Sequence, residues 1–152
     1  MVLPIATASD LTLTIKKEIR VQAPLETTFE ALLEELGPHH QVADDSPLPM
    51  KLEAWPGGRW YRDLGNDNGH LWGHVQAIKR PTLLEICGPL FMSYAAFSNL
   101  QYRLAPAEGG TLITFTHSVL GLIPEDHRTG MDSGWTYSHE RIRKAAESAV
   151  RK

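Results

Sequence analysis

Thr111-Leu112-Ile113-Thr114-Phe115-Thr116-His117-Ser118-Val119, followed downstream by a helical segment carrying Gly134-Trp135, decides the fold. Ile113, Phe115, His117 and Val119 fall on one face of this stretch, and Leu112, Thr114, Thr116 and Ser118 on the other. That is the period of a strand, and the bulkier face is expected to turn inward. In the helical segment Met131, Trp135, His139, Ile142 and Ala146 recur at helical spacing and form one stripe. A strand feeding a long C-terminal helix with one large aromatic suggests a lid helix laid across a curved sheet. His139 is the oddity, an ionisable ring among apolar positions.

Upstream, Leu11, Leu13, Ile15, Ile19 and Val21 alternate with polar residues, which predicts a strand over 11–22 with one wet face. Lys17 interrupts its apolar side, as near a sheet edge. Ala23-Pro24 stops the strand, and proline suits a first helical turn. Leu25, Phe29, Leu32, Leu33 and Leu36 then predict a helix ending at Gly37-Pro38. Residues 38–50 are turn-rich. Strands are expected at 50–55, 59–64, 70–79, 82–87 and 98–104, separated by Pro56-Gly57-Gly58, Gly65-Asn66-Asp67-Asn68-Gly69, Arg80-Pro81 and Gly88-Pro89. The order β, α, a run of antiparallel strands, then α reads as α+β with helices on one side of the sheet.

A chain of 152 residues can bury roughly two-thirds of its unfolded surface as one domain. Residues 1–10 are expected to be a flexible tail. The net charge of −3 and the scattered lysines and arginines argue against nucleic acid as a partner. Cys87 is the only cysteine, so no intramolecular disulfide forms, and its alternating surroundings make it a small hydrophobe. The first residues lack the basic region and long apolar run of a signal peptide. No window approaches the roughly 18 apolar residues of a membrane span. A cytoplasmic location without membrane insertion is the expectation.

Three stretches stand out: Ile19-Arg20-Val21-Gln22-Ala23-Pro24 with Thr28-Phe29-Glu30-Ala31-Leu32; Gly73-His74-Val75-Gln76-Ala77-Ile78 with Pro81 and Leu84; and Gly110 to His117 with Gly134-Trp135. Together they resemble the START-like, or SRPBCC, superfamily with its helix-grip fold. They are most similar to the branch of activator of heat-shock protein 90 ATPase homologues. The resemblance, from about Leu13 to Ala149, implies a curved antiparallel β-sheet gripping the long C-terminal helix around an internal cavity. It says little about chemistry, since the superfamily spans lipid carriers, hormone receptors, aromatic cyclases and co-chaperones. The branch usually has leucine four residues after the tryptophan, where this chain has His139, and its second leucine is Ile142 here. The 38–49 segment matches poorly.

His117 and His139 are expected to face each other across the cavity. Two such imidazoles could share a proton, bind an anion or hold a metal; the plainer reading is that each hydrogen-bonds a neighbouring hydroxyl or carbonyl. His70 and His74 read as one strand face, about 13 Å apart, too far for one ion. His39-His40 beside Asp44-Asp45 reads as a polar cavity mouth. No metal and no cofactor are expected. No nucleophile elbow, phosphate loop or dinucleotide fingerprint is present. Trp55, Trp60, Tyr61, Trp72, Phe91, Tyr94, Phe97 and Tyr102 gather in the sheet and its connections, about half of them expected as packing and the rest as pocket wall. Apolar Leu90 to Phe97 fits a ligand gate, an edge covering or a dimer contact, leaving a homodimer open.

The first expectation is a small hydrophobic or aromatic ligand held by Trp135, His139, His117, Phe115, Tyr102, Ile142, Trp72 and Phe29. The histidines, with Tyr102, would orient a carbonyl, phenol or carboxylate. One alternative is a polyketide cyclase- or hydrolase-like enzyme with His117 or His139 as general acid or base. The other is a chaperone or ATPase regulatory module working through an outer surface around Arg59, Arg62 and Arg80.

Overall fold

The computed structural model describes residues 10–151; the expected tail lies outside them except for Asp10. In chain order the elements are β1 (Thr12–Val21), α1 (Leu25–Leu36), β2 (Lys51–Leu52), β3 (Arg59–Gly65), β4 (Asn68–Lys79), β5 (Leu83–Gly88), β6 (Ala96–Ala107), β7 (Gly110–Gly121) and α2 (Glu125–Val150). The strands make one antiparallel sheet in the order β1-β7-β6-β5-β4-β3-β2. The sheet curves around α2, which is the α+β helix-grip arrangement. Among the described residues no helix is long and apolar enough to cross a membrane.

The alternation in β7 works as its sequence implies. Ile113, Phe115, His117 and Val119 are buried, as is the α2 stripe of Met131, Trp135, His139, Ile142 and Ala146, with Phe115 packed on Trp135 and His139 and His117 on Trp135. Burying each large apolar side chain contributes roughly 1.5–3 kcal/mol, so this seam fixes the helix on the sheet. β1 is an edge strand. Lys17 reaches from it to the exposed Asp132 of α2 at 3.1 Å, its own side chain largely covered.

Helix α1 and the loop at 37–50 carry the chain from one sheet edge to the other. Pro24 stands at the helix start, and its carbonyl accepts the Thr28 hydroxyl at 2.9 Å. The far end is tied to the sheet, because the Trp60 indole N–H donates to the Leu36 carbonyl at 2.8 Å. Arg141 of α2 pairs with the buried Glu35 of α1 at 3.0 Å. The two helices therefore share one side of the sheet.

Two expectations change. The strand expected at 50–55 is only Lys51–Leu52, because the backbone turns at once: the Trp55 N–H bonds the Glu53 carbonyl and the Gly58 N–H the Trp55 carbonyl. His70 and His74 do not share a face. The β3–β4 register shifts at Trp60/Tyr61, and Trp72 and Val75, three residues apart, are both buried. This bulge reverses the strand's phase, leaving His70 beside Trp72 and His74 exposed on the other side. Gly73 sits in the bulge because a Cβ there would stand 2.6 Å from the Cys87 carbonyl oxygen.

Candidate functional site

Where α2 crosses β6 and β7, five rings pack together. Phe115 lies 4.9 Å from Tyr102, 4.8 Å from Trp135 and 4.4 Å from His139, centroid to centroid. His139 stacks on Trp135 with 17° between the planes. His117 meets Trp135 nearly perpendicular, 5.5 Å between centroids at 85°. Both histidines thus touch Trp135, and each takes a different partner. Trp135 Nε1–H donates to His117 Nδ1 at 3.0 Å, and His117 Nε2 lies 2.9 Å from Ser98 Oγ. His139 Nε2 lies 3.0 Å from the Tyr102 hydroxyl.

These bonds fix what the histidines can do. Because Nδ1 of His117 accepts from an indole, the neutral ring carries its proton on Nε2 and donates it to Ser98. It therefore cannot accept a proton from the Ser98 hydroxyl. Burial pushes the His117 pKa down to about 4. Burial, with a smaller contribution from the Lys17 charge, pushes that of His139 down to about 3. Both rings are neutral at physiological pH. Among the described residues, His139 Nδ1 is the one fully buried side-chain nitrogen or oxygen without a hydrogen-bond partner. No group of three or more potential metal ligands gathers among those residues.

The open space lies beside this cluster. A cavity of about 360 Å³ is walled by Trp60 and Trp72 from the sheet, Phe91 from the β5–β6 connection, and Met131 and Trp135 from α2. The loop at 37–50 closes the other side with His40, Gln41, Val42, Ala43 and Leu48. The aromatic walls brace one another: Trp72 meets Trp60 at 5.0 Å, Phe91 at 5.8 Å and His40 at 5.6 Å, all edge to face. Side-chain bonds hold the loop in shape and against α2. His40 Nδ1–H donates to the Leu48 carbonyl at 3.2 Å, and the Tyr137 hydroxyl of α2 donates to Asp45. Gly130 and Gly134 of α2 also border the cavity, and nothing stands within 4 Å of where their Cβ atoms would be.

Of the residues expected at a ligand site, Trp135 and Trp72 line this cavity. Phe29, Tyr102, Phe115, His117, His139 and Ile142 lie in the packed interior instead, none more than 3% exposed. Five of the eight still come together, since Tyr102, Phe115, His117, Trp135 and His139 are the ring cluster beneath the cavity. His40, read from the sequence as part of a polar cavity mouth, is in the lining, whereas Val42, Leu48, Gly130 and Tyr137 escaped the sequence reading. Two glycines four residues apart within a helix were the available signal.

Comparison with known proteins follows the same lines. Residues 22–147 match the family model described as Activator of Hsp90 ATPase homolog 1-like protein. Among curated proteins nothing matches. Of solved structures, a protein from Rhizobium leguminosarum superposes with a TM-score of 0.70 at 18% identity, over 90% of this chain and 95% of its own. Protein BH1534 of Bacillus halodurans gives 0.65 at 24% identity, over 90% and 99%. The di-domain ARO/CYC StfQ from the steffimycin biosynthetic pathway gives 0.65 at 11% identity, over 95% of this chain and 54% of that one. At such identities these likenesses establish the fold alone. The family match, spanning most of the chain, carries the assignment: the protein belongs to the Activator of Hsp90 ATPase homolog 1-like family.

Proposed function

We propose that this protein is a cytoplasmic binder of a small hydrophobic or aromatic molecule, held in the cavity between the sheet and the first half of α2. One observation carries the reading: an aromatic-walled cavity of about 360 Å³ kept open by Gly130 and Gly134. A glycine inside a helix costs about 1 kcal/mol relative to alanine, so α2 is weakened where it borders the space. The size and the largely apolar walls suit a small-molecule site.

An enzyme using His117 or His139 as general acid or base has less support. Both rings are buried beneath the cavity with pKa values near 4 and 3, whereas a useful catalytic pKa lies near the working pH. Regulation of an ATPase through the outer surface, which the family description suggests, is likewise less supported. Arg59 is held by Glu53 at 2.7 Å and Arg80 by the Ala54 carbonyl at 3.0 Å.

N-phenylnaphthylamine, an uncharged dye that brightens in apolar surroundings, tests the proposal. The wild type should enhance its emission and gain melting temperature with it. Gly134→Leu should fill the space and weaken binding at least tenfold, about 1.4 kcal/mol, with the melting temperature of the free protein held. Equal binding by wild type and variant would place the dye elsewhere and defeat the reading.

A further inference from the structure

The polar atoms around the cavity carry an inference about ligand class, one that rests on the binding reading above. All three indole N–H groups in its wall are committed to the protein. Trp60 donates to the Leu36 carbonyl at 2.8 Å, Trp72 to His70 Nδ1 at 3.2 Å, and Trp135 to His117 Nδ1 at 3.0 Å. The Tyr137 hydroxyl proton goes to Asp45. These aromatic walls therefore offer ring faces and carbon edges, and none of their own donors.

His40 differs. Its ring lines the cavity edge-on to Trp72. Its Nδ1–H is fixed by the Leu48 carbonyl at 3.2 Å, so in the neutral ring Nε2 presents a lone pair. Burial lowers the His40 pKa below its ordinary value, which favours that neutral ring. Among the described residues Nε2 has no partner, and it is not sealed in, since the only such sealed atom is His139 Nδ1. Gln41 and Ser138 add a neutral amide and a hydroxyl, and His127 a second imidazole whose Nδ1 lies 2.9 Å from the Tyr94 hydroxyl. Asp126 is the one carboxylate in the lining, and neither lysine nor arginine is there. An anion entering this space would lose water without gaining a lysine or arginine as counter-charge, and would meet Asp126.

We infer that the cavity selects an uncharged, planar aromatic molecule bearing a hydrogen-bond donor, a phenolic hydroxyl or a ring N–H, which His40 Nε2 accepts. Carboxylates of the same shape are turned away.

The test is calorimetric titration at neutral pH with three probes of one shape: β-naphthol, β-methoxynaphthalene and β-naphthoate. The wild type should bind the naphthol about tenfold more tightly than the methyl ether, the effect of one good hydrogen bond. It should bind the naphthoate more weakly than either. His40→Phe should bring the naphthol level with the ether. His40→Gln should keep part of the preference, because its amide can donate to Leu48 and accept from the hydroxyl. Circular dichroism of both variants checks that the loop change leaves the fold intact; the wild-type ranking stands on its own.

Equal wild-type affinity for naphthol and ether, or tight binding of the naphthoate, overturns the inference and leaves the cavity reading standing. A preference that survives His40→Phe removes His40 from the role and overturns it as well. If the wild type binds none of the three, the cavity reading itself fails, and the inference with it.

Discussion

Between pH 7 and pH 4 the fold is expected to lose roughly 6 kcal/mol of stability, enough to unfold a domain of ordinary stability. The cause is the pair of buried histidines. Their pKa values fall from 6.5 to about 4 for His117 and about 3 for His139. The folded protein holds both rings neutral, whereas the unfolded chain protonates them near pH 6.5. Protons are therefore bound preferentially by the unfolded state. The stability these rings contribute is whole above 6.5, declines as pH falls below it, and is gone below the folded pKa values. Each ring accounts for about half of the loss by pH 4.

Urea denaturation followed across that pH range measures the slope. The double variant Tyr102→Phe/His139→Leu removes one titrating ring together with its bonded partner, so no hydroxyl is orphaned and His139 Nδ1 disappears. Replacing both partners by apolar groups of similar shape is close to neutral or stabilising at pH 7. The variant should lose only about 3 kcal/mol on acidification. A pH dependence as steep as that of the wild type would show that His139 is not held neutral.

Trp135→Ala should be the most damaging single substitution in α2, costing about 3–5 kcal/mol. The indole is only 6% exposed. It touches Phe91, Phe115, His117 and His139, and its N–H is the partner of His117 Nδ1. Removing it opens a void continuous with the existing cavity and leaves a buried nitrogen unpaired. For a chain of this size the melting temperature should fall on the order of 10 °C. Trp135→Phe separates the two effects: it retains most of the packing, loses the hydrogen bond, and should cost about 1–3 kcal/mol. Equal losses in the two variants would mean that the hydrogen bond, and not the ring's bulk, anchors the helix.

The fold was legible wherever periodicity governs. Alternation in β7 and the α2 stripe named the buried faces, and Lys17 on the apolar side of β1 marked an edge strand. Periodicity failed at β4, where one bulge shifted the phase and separated His70 from His74. The candidate site was legible only in part, for a physical reason. A hydrophobic pattern reports the packed face of an element, and His139 on the α2 stripe and His117 on the inward face of β7 belong to such faces. Beyond Met131 and Trp135 of the stripe, the cavity borders the next row of α2, Asp126, Gly130, Gly134 and Ser138, where side chains are small or polar and carry no apolar pattern.

Its opposite wall is the loop at 37–50, shaped by contacts remote in sequence such as Tyr137 with Asp45 and His40 with Trp72. Those contacts exist only once the fold has formed. The aromatic enrichment pointed the right way, since Trp60, Trp72 and Phe91 do line the cavity. Trp55 and Phe97, indistinguishable from them by composition, stand on the surface at 57% exposure each.

That contrast supplies the most direct test. The chain has four tryptophans; three of them, Trp60, Trp72 and Trp135, line the cavity, and Trp55 lies outside it. Each indole N–H gives its own cross-peak in a proton–nitrogen correlation spectrum. On titration with β-naphthol, the account predicts that the three cavity signals shift together along one binding curve while Trp55 stays in place. Movement of the Trp55 signal alone, or no movement of any indole at saturating ligand, would contradict it.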